Sequence, residues 1–137
     1  MTPLKENLER LENAISAACR AAGRARSEVE LMAVSKTFPA ETVAEAAALG
    51  LTLFGENRVQ EFGAKALHAA EQGTWAVREP LRFHFIGHLQ SNKAARAAEL
   101  FDGIDSLDSV RMAERLDEAA GRYGKRLIGQ VSDAQSE

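Results

Sequence analysis

The chain has 137 residues, a length typical of one domain, and its 45% hydrophobic and 27% charged residues exclude an intrinsically disordered protein. Seventeen Lys and Arg against twenty Asp and Glu leave a formal charge of −3, without the basic excess that nucleic-acid binding requires. The single cysteine, Cys19, excludes an intrachain disulfide and favours a reducing compartment. The charged amino terminus does not resemble a signal peptide, and no apolar run approaches membrane-spanning length. We therefore expect a cytoplasmic protein.

The first predicted element is a helix over residues 3–22. Its apolar residues recur at spacings of three and four, as on one face of a helix, with Thr2 as the expected cap: Leu4, Leu8, Leu11, Ile15 and Cys19. Because Cys19 lies on this apolar stripe, a small buried side chain is the favoured interpretation over a reactive thiol.

Five short apolar runs predict strands, and all but the last are followed by a helical pattern. The strands are expected at 31–35, 51–55, 82–87, 103–106 and 127–131. The helices are expected at about 39–49, from about 57 towards 72, from a cap at Ser91 or Asn92, and from a cap at Asp108 to about 121. This alternation predicts an α/β fold with a parallel sheet, but it does not separate an open doubly wound sheet from part of a barrel. No dinucleotide-binding glycine motif and no P-loop follows any strand.

Lys36 follows the first predicted strand directly, at the edge where parallel α/β folds keep their chemistry. Apolar surroundings would disfavour its ammonium form, and a neutral amine can attack an aldehyde to form a Schiff base. The alternative is a lysine that extends from a strand end into solvent.

Two further candidates lie at the ends of neighbouring strands. Asn57, after Gly55 and Glu56, offers a donor and an acceptor to a ligand, or else caps the following helix. His84 alternates with Phe83 and Phe85, so it faces the opposite side of strand three. It is either a ligand contact or a hydrogen-bonded interior histidine.

Three motifs, in this order, resemble those of the pyridoxal phosphate homeostasis protein family. They are Ala33-Val34-Ser35-Lys36-Thr37, Phe54-Gly55-Glu56-Asn57-Arg58-Val59-Gln60-Glu61 and His84-Phe85-Ile86-Gly87-His88-Leu89-Gln90-Ser91-Asn92-Lys93. The resemblance implies an alanine-racemase-like (β/α)8 TIM barrel that binds pyridoxal 5′-phosphate as an imine on the lysine matching Lys36. Asn57 and His84 match the motifs beside the cofactor. The implied role is intracellular pyridoxal phosphate (vitamin B6) homeostasis without catalytic turnover, with pyridoxal-phosphate-dependent apoenzymes as possible recipients.

The length of the chain departs from this family. A complete barrel needs roughly 200–250 residues, whereas this chain supplies four βα units from about residue 31 and the start of a fifth strand at about 127–131. We therefore expect residues 1–137 to form a single incomplete barrel domain, the amino-terminal half to two-thirds. In the family, the residues that hold the phosphate and face the pyridine nitrogen come from the second half. An unclosed barrel exposes strand edges, so we also expect self-association.

Two enzymatic alternatives remain open at this stage. One is a pyridoxal-phosphate-dependent racemase or decarboxylase of the same barrel type, in which a racemase uses a tyrosine from an added β domain. The only tyrosine here, Tyr123, falls at the end of a surface helix. The other is a cofactor-free aldolase that uses Lys36, for which no convincing carboxylate or tyrosine partner is found.

Overall fold

The computed structural model describes residues 3–76 and 79–131 and divides the chain into two units after Leu31. The first unit contains helix α1, Pro3–Ala22, and a short 3-10 helix, Arg26–Glu28. Within it, the Arg26 guanidinium hydrogen-bonds both carboxylate oxygens of Glu12 at 2.8 and 3.0 Å, and this contact lowers the pKa of Glu12. Cys19 is buried, as predicted. The predicted cap Thr2 lies outside the described residues.

The second unit, from Met32 onward, is a five-stranded parallel sheet in the sequential order β1-β2-β3-β4-β5. Its strands are β1 Ala33–Val34, β2 Leu53–Glu56, β3 Arg82–Phe85, β4 Gly103–Leu107 and β5 Ile128–Val131. Its helices are α2 Ala40–Ala48, α3 Val59–Gln72, α4 Ala94–Leu100 and α5 Val110–Arg122, with a 3-10 helix at Ser91–Lys93 before α4. The α/β class with a parallel sheet is therefore confirmed.

One face of this sheet is covered by an aromatic core. Because side chains alternate along a strand, Phe54, Phe83 and Phe85 point to the same side. The Phe83 ring lies 4.7 Å from the ring of Phe62 in α3, and Phe62 in turn lies 4.7 Å from Phe101 after α4. These contacts define the helix-covered face. The alternate strand positions belong to the opposite face.

Several local boundaries differ from the sequence expectations. Strand β1 has two residues where five were predicted, because only Ala33 and Val34 are in ladder register with residues of β2. The predicted side-chain caps at Ser91, Asn92 and Asp108 are wrong. A 3-10 helix occupies Ser91–Lys93, and α5 is capped by Ser109, whose hydroxyl accepts a hydrogen bond from the Met112 amide at 3.1 Å.

None of the described helices is long and apolar enough to cross a membrane.

Candidate functional site

A single row of paired residues crosses the sheet on the face opposite the aromatic core. Val34 pairs with Gly55, Gly55 with His84, His84 with Gly103, and Gly103 with Ile128. Paired residues in a parallel ladder point to the same side, so His84 projects between two glycines. Lys36 and Asn57 each follow this row by two residues, at the carboxyl ends of β1 and β2. The ladder thus places His84 on this face, while Lys36 and Asn57 lie just beyond the carboxyl ends of the two preceding strands.

Lys36 is exposed, and the backbone around it is held on both sides. The Ser35 amide donates to the Gly55 carbonyl at 2.9 Å, and the Thr37 amide donates to Glu61 Oε1 at 2.9 Å. Thr37 adopts the left-handed conformation, with φ of 68°, which is uncommon for a β-branched residue. The chain therefore makes a specific turn that leaves the Lys36 side chain in solvent. This placement matches the alternative of a lysine that extends from a strand end, and the apolar surroundings considered from the sequence are not found in the part of the chain that the structure describes.

A buried ion pair lies behind this turn, on the helix-covered face. The carboxylate of Glu56 is fully buried, and its Oε2 accepts from Lys65 Nζ at 2.7 Å and from Ser35 Oγ at 2.6 Å. Lys65 Nζ also donates to the Ser35 carbonyl at 2.9 Å. The end of β1, the end of β2 and helix α3 are thereby joined at one point.

Asn57 is half-buried at the end of β2 and does not cap helix α3. The capping position belongs to Arg58, and no side chain accepts a hydrogen bond there. Gly87, after β3, approaches so closely that a Cβ on it would meet the Asn57 carbonyl oxygen at 2.8 Å and the Asn57 Cβ at 3.0 Å. Helix capping is therefore excluded as the role of Asn57, and Gly87 is the residue type that this approach requires.

His84 is buried and paired with a carboxylate. Its Nδ1 lies 2.8 Å from Oδ1 of Asp105, which projects from β4, while its Nε2 is buried without a hydrogen-bond partner in the described structure. The ring lies directly over Gly103, where a Cβ would approach it to 2.7 Å. Both interpretations of His84 from the sequence are compatible with this geometry, because the ring is hydrogen-bonded on one nitrogen and free on the other.

A cleft of about 470 Å³ opens beside this site, between the segments that follow β2 and β3. Asn57, Arg58 and Lys93 are among its lining residues, whereas Lys36 and His84 are not. The cleft is therefore adjacent to the predicted site and shares only Asn57 with it. Within residues 3–76 and 79–131, no cluster of three or more histidine, cysteine or acidic side chains is arranged to hold a metal ion.

Three residues of this region were not predicted from the sequence: Glu56, Lys65 and Asp105. Each of the three makes its contact with a residue on a different secondary-structure element. Such contacts leave no local pattern in a single sequence. A partial signal exists for Glu56, which is a charged residue directly after the apolar run Leu53-Phe54-Gly55. Burial of a carboxylate requires a partner.

Tyr123, considered for a racemase, is exposed at the carboxyl-terminal cap of α5. Because α5 leads into parallel strand β5, its carboxyl end approaches the amino edge of the sheet. Tyr123 is therefore at the edge opposite the Lys36 turn.

Known proteins resemble this chain closely in sequence and structure, although no family model matches it. The pyridoxal phosphate homeostasis protein of Pasteurella multocida is 42% identical over 124 residues, which are 90% of this chain and 51% of that protein. The Escherichia coli (strain K12) protein of the same name is 44% identical over 118 residues, 86% of this chain and 49% of its own length.

Two solved structures are similar in fold as well. PipY of Synechococcus elongatus, with pyridoxal phosphate bound, has 42% identity and a TM-score of 0.65, and the match covers 85% of this chain and 52% of PipY. A protein from Bifidobacterium adolescentis has 33% identity and a TM-score of 0.80 over 98% of this chain and 57% of its own. The chain is thus an α/β protein related to cofactor-binding proteins. It belongs to the pyridoxal phosphate homeostasis protein family and spans about half the length of the curated relatives that it matches.

The position of His84 generates a first prediction. Gly103→Ala places a methyl group 2.7 Å from the His84 ring, so the ring must move and its contact with Asp105 must lengthen. We expect a loss of about 1–3 kcal/mol in the free energy of unfolding and a changed His84 imidazole signal in NMR spectra. Gly129→Ala is the matched control, because its Cβ would meet Leu107 at an ordinary 3.4 Å. Equal effects of the two substitutions would show that the His84 ring does not depend on Gly103.

Proposed function

We propose that this chain binds pyridoxal 5′-phosphate as a Schiff base on Lys36 and that the protein serves intracellular pyridoxal phosphate homeostasis without catalytic turnover. The observation that carries the proposal is the placement of Lys36, exposed in a turn held on both sides at the edge shared with Asn57 and His84. The relative PipY, 42% identical in the matched region, has been solved with pyridoxal phosphate bound.

The residues present fit such a cofactor. Lys36 would hold the cofactor through its amine, a nucleophile of the kind that condenses with an aldehyde with loss of water. Asn57 offers amide hydrogen-bonding groups at the end of the next strand, and the partner-free Nε2 of His84 offers a further polar atom. Gly55 and Gly103, which pair with His84, have no side chains, so they leave space for a ligand on this face of the sheet.

The sheet order supports the finer fold proposal, that this chain is the amino-terminal half to two-thirds of an alanine-racemase-like (β/α)8 barrel. All five strands follow the order of the sequence without the reversal that defines a doubly wound sheet. Right-handed crossovers between sequential strands place their helices on one face, as in a barrel. The matched relatives, about twice as long, provide the length that a closed barrel needs.

The geometry favours binding over catalysis. Tyr123 lies at the edge of the sheet opposite Lys36, so it does not supply the second acid/base group of a racemase. Glu56 and Glu61, the two carboxylates that contact the Lys36 turn, are engaged by Lys65 and by the Thr37 amide. We further propose transfer of the cofactor to pyridoxal-phosphate-dependent apoenzymes in the cytoplasm. The transfer to apoenzymes is inferred from the family resemblance, and the cytoplasmic location is inferred from the composition.

The site assignment makes a direct prediction about affinity. Lys36→Ala removes the amine that forms the covalent bond, and we expect the dissociation constant for pyridoxal phosphate, measured by equilibrium dialysis, to rise at least about tenfold. Lys93→Ala is the control, since it removes a cation of the neighbouring cleft and is expected to change the constant by less than about twofold. Loss of binding in Lys93→Ala but not in Lys36→Ala would move the site into the cleft.

The open strand edges generate a prediction about self-association. In the described structure β1 pairs only with β2, and β5 only with β4. Val34, Ile128 and Val131 are 48%, 51% and 90% exposed. We propose that the 137-residue chain self-associates through these edges, and that Val131→Lys increases the monomer fraction because a charge opposes edge pairing. Sedimentation velocity over a dilution series checks this, and a monomer at every concentration would contradict it.

A further inference from the structure

We propose that the buried Glu56–Lys65 ion pair positions Lys36. The pair lies on the helix-covered face of the sheet and holds the backbone of the turn that carries the Lys36 amine. This inference rests on the proposed function, because Lys36 is the group that binds the cofactor there. Neither Glu56 nor Lys65 is assigned a contact with the ligand. They lie on the helix-covered face and act through the backbone of residues 35–37.

The contacts of the pair converge on the peptide group that joins Ser35 to Lys36. Lys65 Nζ donates to the Ser35 carbonyl at 2.9 Å, and that carbonyl belongs to the same peptide unit as the Lys36 amide. Glu56 Oε2 holds Lys65 Nζ at 2.7 Å and Ser35 Oγ at 2.6 Å. Each of these three bonds involves a charged donor or acceptor in a buried setting, which makes it stronger than a neutral one. The peptide plane at Lys36 is therefore set by the ion pair.

The turn beyond Lys36 needs such a constraint. Thr37 has a φ of 68°, a conformation that a β-branched residue rarely adopts and that persists only where surrounding contacts enforce it. The Thr37 amide is held by Glu61 Oε1, so helix α3 restrains the turn through Glu61 on one side of Lys36 and through Lys65 on the other. The Lys36 side chain makes none of these contacts and stays exposed.

The energetics favour a positioning role over a purely stabilising one. Desolvation of two charges offsets much of their attraction, so a buried pair is often replaceable by apolar groups without loss of stability. Glu56 Oε1 is in addition buried without a hydrogen-bond partner in the described structure, which makes this pair costlier still. A fixed turn, by contrast, reduces the entropy lost when the amine and an aldehyde are brought together.

The double variant Glu56→Gln/Lys65→Met tests this proposal, because it removes both charges and leaves no unpaired buried ion. Leu116→Ala is the control, since it opens a cavity under α5 and weakens the fold without touching the turn. Two quantities are measured on the folded 137-residue chain: hydrogen exchange by segment, and the dissociation constant for pyridoxal phosphate.

We expect the melting temperature to fall less in the double variant than in Leu116→Ala. We also expect amide hydrogens of the double variant to exchange at least about tenfold faster in residues 33–38 and at an unchanged rate elsewhere. Its dissociation constant should rise about fivefold or more, whereas Leu116→Ala should leave both local exchange and affinity unchanged while folded. Unaltered exchange in residues 33–38, or exchange that rises equally in every segment, would overturn the proposal.

Two further outcomes are separable. If the double variant does not fold, Glu56→Gln takes its place, because it removes the charge that holds Lys65 with little change in volume and should accelerate exchange in residues 33–38. Unchanged exchange in that variant would overturn the proposal. If the unmodified chain binds no pyridoxal phosphate, the proposed function fails, while hydrogen exchange still decides whether the ion pair fixes the turn.

Discussion

The parallel backbone ladder determines where every candidate site residue lies. Its register aligns one residue from each of the five strands, with His84 at the centre and glycines on both sides. Since paired residues of a parallel ladder share a face, the alternation of side chains along each strand places Phe54, Phe83 and Phe85 on one face and His84 on the other. The aromatic residues face the helices, His84 lies on the opposite face, and Lys36 and Asn57 follow the ends of β1 and β2. A shift of one residue in one strand would move that strand's site residue into the core.

Two glycines and a set of polar contacts also determine where the three candidate site residues lie. Gly103 leaves room for the His84 ring and Gly87 leaves room for Asn57. Two of the three candidate site residues therefore require a neighbouring glycine, because a Cβ at that position would clash with them. Lys36 depends instead on polar contacts, which reach it from the opposite side of the sheet through the Ser35 peptide. The candidate site is thus exposed on one face and supported on the other by a core that contains both aromatic rings and one buried ion pair.

The sequence was sufficient for the order of elements and for the residues at the carboxyl ends of the strands. Apolar runs separated by Gly and Pro locate the five strands, and the strand-end rule then selects Lys36 and Asn57. It was insufficient for β1, whose apolar run extends over 31–35 although its partner strand reaches only two of those residues. It also misplaced the helix caps near Ser91 and Asp108, where several neighbouring polar residues are equally able to cap. The roles of Glu56, Lys65 and Asp105 arise from contacts between separate elements, and no local pattern in one sequence specifies them.

The most direct test of the account is borohydride reduction of the chain in the presence of pyridoxal phosphate, followed by peptide mass mapping. Reduction makes a Schiff base permanent, so even a weakly held cofactor is retained on the lysine that bound it. The account predicts one dominant adduct, on the peptide that contains Lys36. Absence of that adduct, or equal labelling of many surface lysines, would show that the turn after β1 does not form a working cofactor site in this chain.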